Sequence, residues 1–246
     1  MITVDRLYVR YDDTNILEDI NLNLPTGITC AVIGPSGCGK STLLNVLAGL
    51  QKNYQGLVQI NGENPSPKKQ TIGFIPQNYG LLPWLTVKEN ILLGLKIKKE
   101  DKQGLPQNLV DNLGLSNLLN RYPNNLSGGQ QQRVSLARAF ALKADLLLMD
   151  EPFSALDAIT REEMQDVFID LWQKQKVSTI LVTHYVEEAL YLGQKIIVMT
   201  SAPGGIYKII DNPLFSDKNF RDREIFSSLS KEIRNYLKKA GSKNER

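Results

Sequence analysis

The chain has 246 residues, 42% hydrophobic and 22% charged, an ordinary globular composition that excludes wholesale disorder and needs no disulfide or metal staple to fold. Its net charge of +3 is uneven: nine basic and five acidic residues fall in 217–246, leaving 20 basic against 21 acidic in the first 216, which argues against nucleic acid as a partner of the body. Two cysteines exclude a disulfide framework, the opening MITVDRLYVR lacks the apolar stretch of a signal peptide, and no apolar run approaches the roughly 18 residues of a membrane helix, so that at a membrane another chain would supply the membrane part.

In chain order, Ile2–Tyr11 and Ile20–Leu24 alternate apolar and polar residues, as antiparallel strands do. Ile28–Ile33 reads as a buried strand ended by Gly34, and Ser41–Leu50 sets Leu43, Leu44, Leu47 and Leu50 on one helical face. Thr86 to about Leu126 has helical spacing and no strand pattern, an insertion between two halves of an α/β core. Leu146–Met149, Ser178–Thr183 and Lys195–Thr200 are further buried strands, the first two running into Asp150 and His184. Strands with helices between them imply a parallel sheet whose active edge lies at the carboxyl ends of its strands. The basic segment 217–246 reads as a solvated helix with a frayed end.

Residues 34–42, GPSGCGKST, satisfy G-x-x-x-x-G-K-[ST] through Gly34, Gly39, Lys40 and Ser41. Glycines let the backbone wrap phosphates that a Cβ would crowd, and successive N–H groups with the following helix start face the negative charge. Lys40 reaches the β and γ phosphates, and the Ser41 hydroxyl can ligate Mg²⁺. Cys38 lies inside this loop, whose positive field is expected to favour its thiolate. At the end of a buried strand, Asp150 can hold the water shell of the same ion and Glu151 can polarise an attacking water.

In LSGGQQQRVSLARAF, beginning at Leu126, Ser127 is an N-cap and Gln130 completes a capping box. Gly128 and Gly129 cost about 2 kcal/mol against alanine in that first turn, which makes sense if an anion approaches the backbone. Two phosphate-binding helix starts with one nucleotide cradle point to a dimer in which this motif closes on the partner's nucleotide.

These motifs, in this order over Ile2 to Ile210, resemble the ATP-binding subunits of ABC transporters, most closely the nitrate/sulfonate/taurine-type bacterial importers. The resemblance makes GPSGCGKST (with Pro35, Ser36, Gly37 and Thr42) the Walker A motif, Gln77 in FIPQNYG the Q-loop, Ser127–Gln130 the signature, LLLMDE the Walker B strand with catalytic Glu151, Ser154–Asp157 the D-loop and His184 the switch histidine. It places Tyr11, with Tyr8 as competitor, where the family stacks adenine. It implies that Ser127 and Gly129 contact the γ-phosphate in trans, that Asp157 lies at the shared site, that Gln77 senses Mg²⁺ and the membrane partner, and that His184 holds the γ-phosphate and attacking water. LLPWLTVKEN, DEPFSALDAITR and VMTSAPGGI carry the subgroup likeness; Tyr185 departs from it, standing where the subgroup usually has Asp.

The fold implied is α/β: a P-loop NTPase (RecA-like) parallel core with an N-terminal antiparallel β subdomain and an inserted α-helical subdomain. One ATP-binding domain, 1–246, would comprise the core (1–85 and 142–216), the helical subdomain with the signature (86–141) and the basic C-terminal helix and tail (217–246). The function implied is ATP hydrolysis, with Mg²⁺, driving import of a small anion or organic solute. The partners would be a second copy, transmembrane permease subunits and, indirectly, an extracytoplasmic solute-binding protein; the place would be the cytoplasmic face of the inner membrane, peripherally. Leu81, Leu82 and Trp84 form an apolar patch suited to the permease. A soluble ABC ATPase is the competing function, though such proteins carry coiled-coil insertions or tandem cassettes; a P-loop kinase would need neither LSGGQ nor SALD.

Overall fold

The computed structural model describes residues 1–100 and 104–241; parts of the helical insertion (101–103) and of the basic tail (242–246) lie outside the described residues. Two sheets share the chain. A three-stranded antiparallel sheet has the order β2-β1-β4, with β1 Ile2–Tyr11, β2 Thr14–Leu24 and β4 Gln55–Ile60. A six-stranded sheet has the order β5-β6-β7-β3-β8-β9, with β3 Thr29–Ile33, β5 Ile72–Ile75, β6 Leu146–Asp150, β7 Ser178–Thr183, β8 Lys195–Met199 and β9 Ile206–Asp211. Its first five strands are parallel and β9 is antiparallel to β8.

The parallel strands are apolar on both faces because both faces are covered. Ala31 and Ile33 of β3 enter a core with the helices of the insertion and of the C-terminal half; Cys30 and Val32 enter a second core with α1 (Lys40–Leu47) and the antiparallel sheet. The segment after β5 is helical as expected, with α2 Val87–Lys98, α3 Gln107–Asn112, two single 3₁₀ turns and α4 Gly128–Ala141. Capping boxes open α2 at Thr86 and Glu89 and α4 at Ser127 and Gln130. α5 Ala158–Gln175 and α6 Val186–Leu192 follow β6 and β7.

Three expectations are revised. The helix after the phosphate loop stops at Leu47 rather than Leu50, and the second strand begins at Thr14 rather than Ile20. The tail is not simply solvated: α7, Glu224–Gly241, buries Leu229, Ile233 and Ala240 against the helical side of the sheet. Three strands, β4, β5 and β9, have no counterpart in the alternation pattern, because each is short and partly exposed.

Sheet order positions the site. Ile33, Thr183, Asp150 and Ile75 end adjacent strands at one edge, with Ile33 in register with Thr183, Asp150 with Val182, and Ile75 with Met149. The segments leaving these strands, 34–40, His184, Glu151 and Pro76–Gln77, therefore share a rim although 150 residues of chain separate the first from the last of them.

Candidate nucleotide site

The phosphate loop is held from below by β2. Gly39 has φ +93°, and a Cβ on it would stand 2.6 Å from Leu17 Cδ2 and 3.1 Å from the Ile16 carbonyl, so only glycine fits. Lys40, 7% exposed, donates to the carbonyls of Gly34 at 2.9 Å and Pro35 at 2.8 Å, which sets its ammonium within the loop it would use against phosphates. Cys38 is buried, and burial pushes its thiol up despite the neighbouring Lys40. The expected thiolate is therefore overturned, because desolvation outweighs the cationic neighbour.

Burial raises the Asp150 carboxyl and a hydrogen bond from Ser41 opposes it, so these two oxygen groups meet beneath the loop. Glu151 leaves β6 with φ +47°, in the left-handed region. Its N–H donates to Val182 O at 3.0 Å and its carbonyl accepts from Ser154 Oγ at 2.9 Å. Its Oε2 lies 3.2 Å from His184 Nδ1 and 3.4 Å from Gln77 Nε2. The three side chains named from sequence as catalytic thus converge on one carboxylate oxygen.

Tyr185 has a contact of its own. The rings of His184 and Tyr185 are 4.2 Å apart, and the Arg161 guanidinium sits 4.4 Å over the Tyr185 ring. Arg161 donates to Phe153 O at 3.2 Å and Leu156 O at 2.7 Å, which ties residues 153–156 to the histidine loop. Asp157 caps α5 by accepting from Thr160 N at 3.0 Å. Arg161 closes the DEPFSALDAITR run, but the sequence attaches no role to it; that role depends on a carbonyl cluster that only the folded loop creates.

The nearest neighbours around Gly128 and Gly129 come from outside residues 34–42. A Cβ on Gly128 would lie 3.3 Å from Tyr79 Oη, and one on Gly129 would lie 2.8 Å from Thr160 Cγ2. The glycine pair therefore has a packing reason inside the chain as well as the anion reason read from sequence. Tyr11, at the β1–β2 turn, is 43% exposed, and Tyr8 is exposed beside it, so either ring is free to stack on a base. Among the described residues no group of three or more His, Cys, Asp and Glu could hold a metal alone. An oxygen-seeking cation would need Ser41 and Asp150 together with phosphate oxygens, a donor set that suits Mg²⁺.

A family model described as ABC transporter matches residues 17–154. The chain belongs to the ABC transporter family. It is 41% identical over 218 residues, 89% of this chain and 86% of the relative, to an aliphatic sulfonates import ATP-binding protein SsuB of Bacillus cereus. It is 39% identical over 237 residues, 95% and 91% of the two chains, to the taurine import ATP-binding protein TauB of Escherichia coli. The fold is similar to a dimeric post-hydrolysis state of the ATP-binding cassette MJ0796 bound to ADP and Pi, with TM-score 0.74, 30% identity and 86% and 98% of the two chains covered. The ABC cassette fold expected from the motifs is thus found. No helix among the described residues is long and apolar enough to cross a membrane.

Proposed function

We propose that this chain is the ATP-hydrolysing subunit of a membrane importer for a small anion or organic solute, such as a sulfonate, taurine or nitrate. The named activities of its sulfonate and taurine relatives support this reading. The observation that carries it is the convergence of Gln77, Glu151 and His184 on one oxygen beside the phosphate loop.

The residues divide the work. The N–H groups of Gly34–Thr42 and the Lys40 ammonium bind the phosphates, and Tyr11 stacks on adenine. Glu151 accepts a proton from the attacking water, His184 orients that water and the γ-phosphate, and the bond to the β-phosphate oxygen breaks to leave ADP and phosphate. Ser41 and Asp150, with Gln77 nearby, would hold Mg²⁺, which would supply charge neutralisation to the phosphate oxygens.

A second copy of the chain contributes Ser127, Gly128, Gly129 and Gln130 to the same nucleotide, with Asp157 at the seam. Permease subunits dock beside Gln77, on Leu82 and the 69% exposed Trp84, at the cytoplasmic face of the inner membrane; Leu81 instead leans on the core. An extracytoplasmic binding protein delivers the cargo. Residues 86–141 act as the moving helical part of one domain, against a core of 1–85 and 142–216 with 217–246 as its C-terminal helix and tail.

Glu151→Gln tests the assignment. The variant is expected to bind ATP–Mg²⁺ normally, hydrolyse it very slowly and elute as a dimer with ATP in gel filtration. A variant that stays monomeric and turns over at the wild-type rate would refute both the base and the two-copy site.

A further inference from the structure

Gln77 sits inside a turn whose geometry is set from outside it. Tyr79 N donates to Pro76 O at 3.0 Å, closing the turn around Gln77 and Asn78. Tyr79 and Gly80 then take φ of +64° and +61°. Glycine adopts that region freely; a tyrosine holds it only where its surroundings dictate it.

The surroundings are α4. Ser135 Oγ donates to Tyr79 O at 2.9 Å, Arg138 Nη2 donates to the same oxygen at 2.9 Å, and Arg138 Nη1 donates to Gly80 O at 2.6 Å. Ser135 is fully buried, so the tie is desolvated, where hydrogen bonds hold geometry most firmly. The Tyr79 side chain is buried too, and its hydroxyl reaches the other end of the helix, 3.3 Å from where a Gly128 Cβ would stand. Between Ser135 and Gly128 lie two turns, roughly 10 Å of helix. One residue therefore is held at the middle of α4 by its backbone, sets its hydroxyl beside the first turn of the same helix, and also closes the turn that carries Gln77.

We propose that Tyr79 is a positioning residue that locks the Gln77 turn to the start of the signature helix, so that a shift of Gln77 at one nucleotide moves Gly128 and Gly129, which serve the other. This rests on the two-copy reading above, in which Gln77 acts on its own chain's nucleotide and the signature on the partner's. With the side chain shortened, the backbone ties remain but the close approach of the hydroxyl to the first turn is lost, and the two sites uncouple.

The test uses the full chain with Tyr79→Leu, which loses the ring and the hydroxyl, and Tyr79→Phe, which loses the hydroxyl alone. Each is made alone and with Glu151→Gln. Tyr79→Leu is expected to leave ATP affinity of the monomer within about twofold, while ATP-driven dimerisation in the Glu151→Gln background weakens by about tenfold or more. Its kcat falls with it, and Tyr79→Phe, which loses only the hydroxyl that approaches Gly128, shows the same two losses in smaller measure. Wild-type dimerisation and kcat in Tyr79→Leu would overturn the proposal. So would a loss of monomer ATP affinity and thermal stability in step with dimerisation, which would make Tyr79 a packing residue only. If Glu151→Gln with Tyr79 intact forms no ATP-driven dimer, the two-copy reading fails and this inference falls with it.

Discussion

Cys38 fills the inside of the phosphate loop, with its sulfur 3.0 Å from where a Gly34 Cβ would stand and the Lys40 ammonium 3.8 Å from it. Burial removes water from the thiolate more effectively than the ammonium replaces it, so the thiol titrates above its usual range. A raised thiol reacts slowly at neutral pH and faster as pH climbs. Maleimide labelling of Cys38 should therefore lag a free thiol at pH 7 and accelerate with an inflection above that of free cysteine, with ATP slowing it further. Cys30, pushed up to about 12 in the sheet interior, should be slower still; Cys30→Ser separates the two signals. Labelling at the free-thiol rate at pH 7 would contradict the burial argument. The motif showed that Cys38 belongs to the loop, but not whether its side chain faces the phosphates or the core. The fold places that side chain in the core shared with α1 and the antiparallel sheet, beside Gly34, where a Cβ would meet both the Cys38 sulfur and Met199, 165 residues further on.

At the scale of elements, α6 carries a carboxyl that no motif announced. Glu188 is buried, accepts from Gln165 Nε2 at 3.0 Å and is held beside Thr183, one residue before the histidine. Burial raises it, and the hydrogen bonds from Thr183 and Gln165, then Arg161 and His184, oppose the rise. For an acid raised on folding, the stabilising neutral form is fully favoured below the unfolded pKa and is lost as pH rises through the folded one. Glu188→Gln keeps an acceptor for Gln165 and cannot ionise, so its melting temperature should gain on wild type as pH goes from 5 to 8. A gap that is constant over that range would show Glu188 to be charged throughout. The strands β3, β6 and β7 were legible because burial on both faces writes them as continuous apolar runs. β4 and β5 were not: each contains a glycine, and each has residues that are only partly buried. α7 was legible as a helix but not as a packed one, since its apolar face is diluted by the lysines and arginines of the opposite side. The chemistry-bearing motifs were legible because phosphate recognition restricts residue types locally. The roles of Tyr79 and Arg161 were not, because Tyr79 is tied to α4 only once that helix packs on the turn, and the carbonyls that Arg161 holds converge only when the 153–156 loop has folded.

For the whole molecule, the chain that leaves Gln77 on this rim leads to Trp84, exposed within a turn clasped by Asn90, which accepts from Leu82 N at 2.8 Å and donates to Leu85 O at 3.0 Å. The clasp fixes the loop without the tryptophan, so Trp84→Ala should leave basal ATPase within about twofold and weaken assembly with the permease by about 2 kcal/mol or more. Both quantities are to be measured on one preparation, and loss of basal ATPase or unweakened assembly would defeat the docking role of Trp84. The sheet order carries one more consequence, for synthesis. β3, which feeds the phosphate loop, is flanked on its two sides by β7 and β8, strands made from residues 178–199. A ribosome emitting about 5–20 residues per second therefore leaves the apolar run Thr29–Ile33 without either neighbour for roughly 7–30 s. Throughout that interval the newborn chain has its phosphate-binding motif but no floor beneath it, and it must be kept from pairing with other exposed strands until its own arrive.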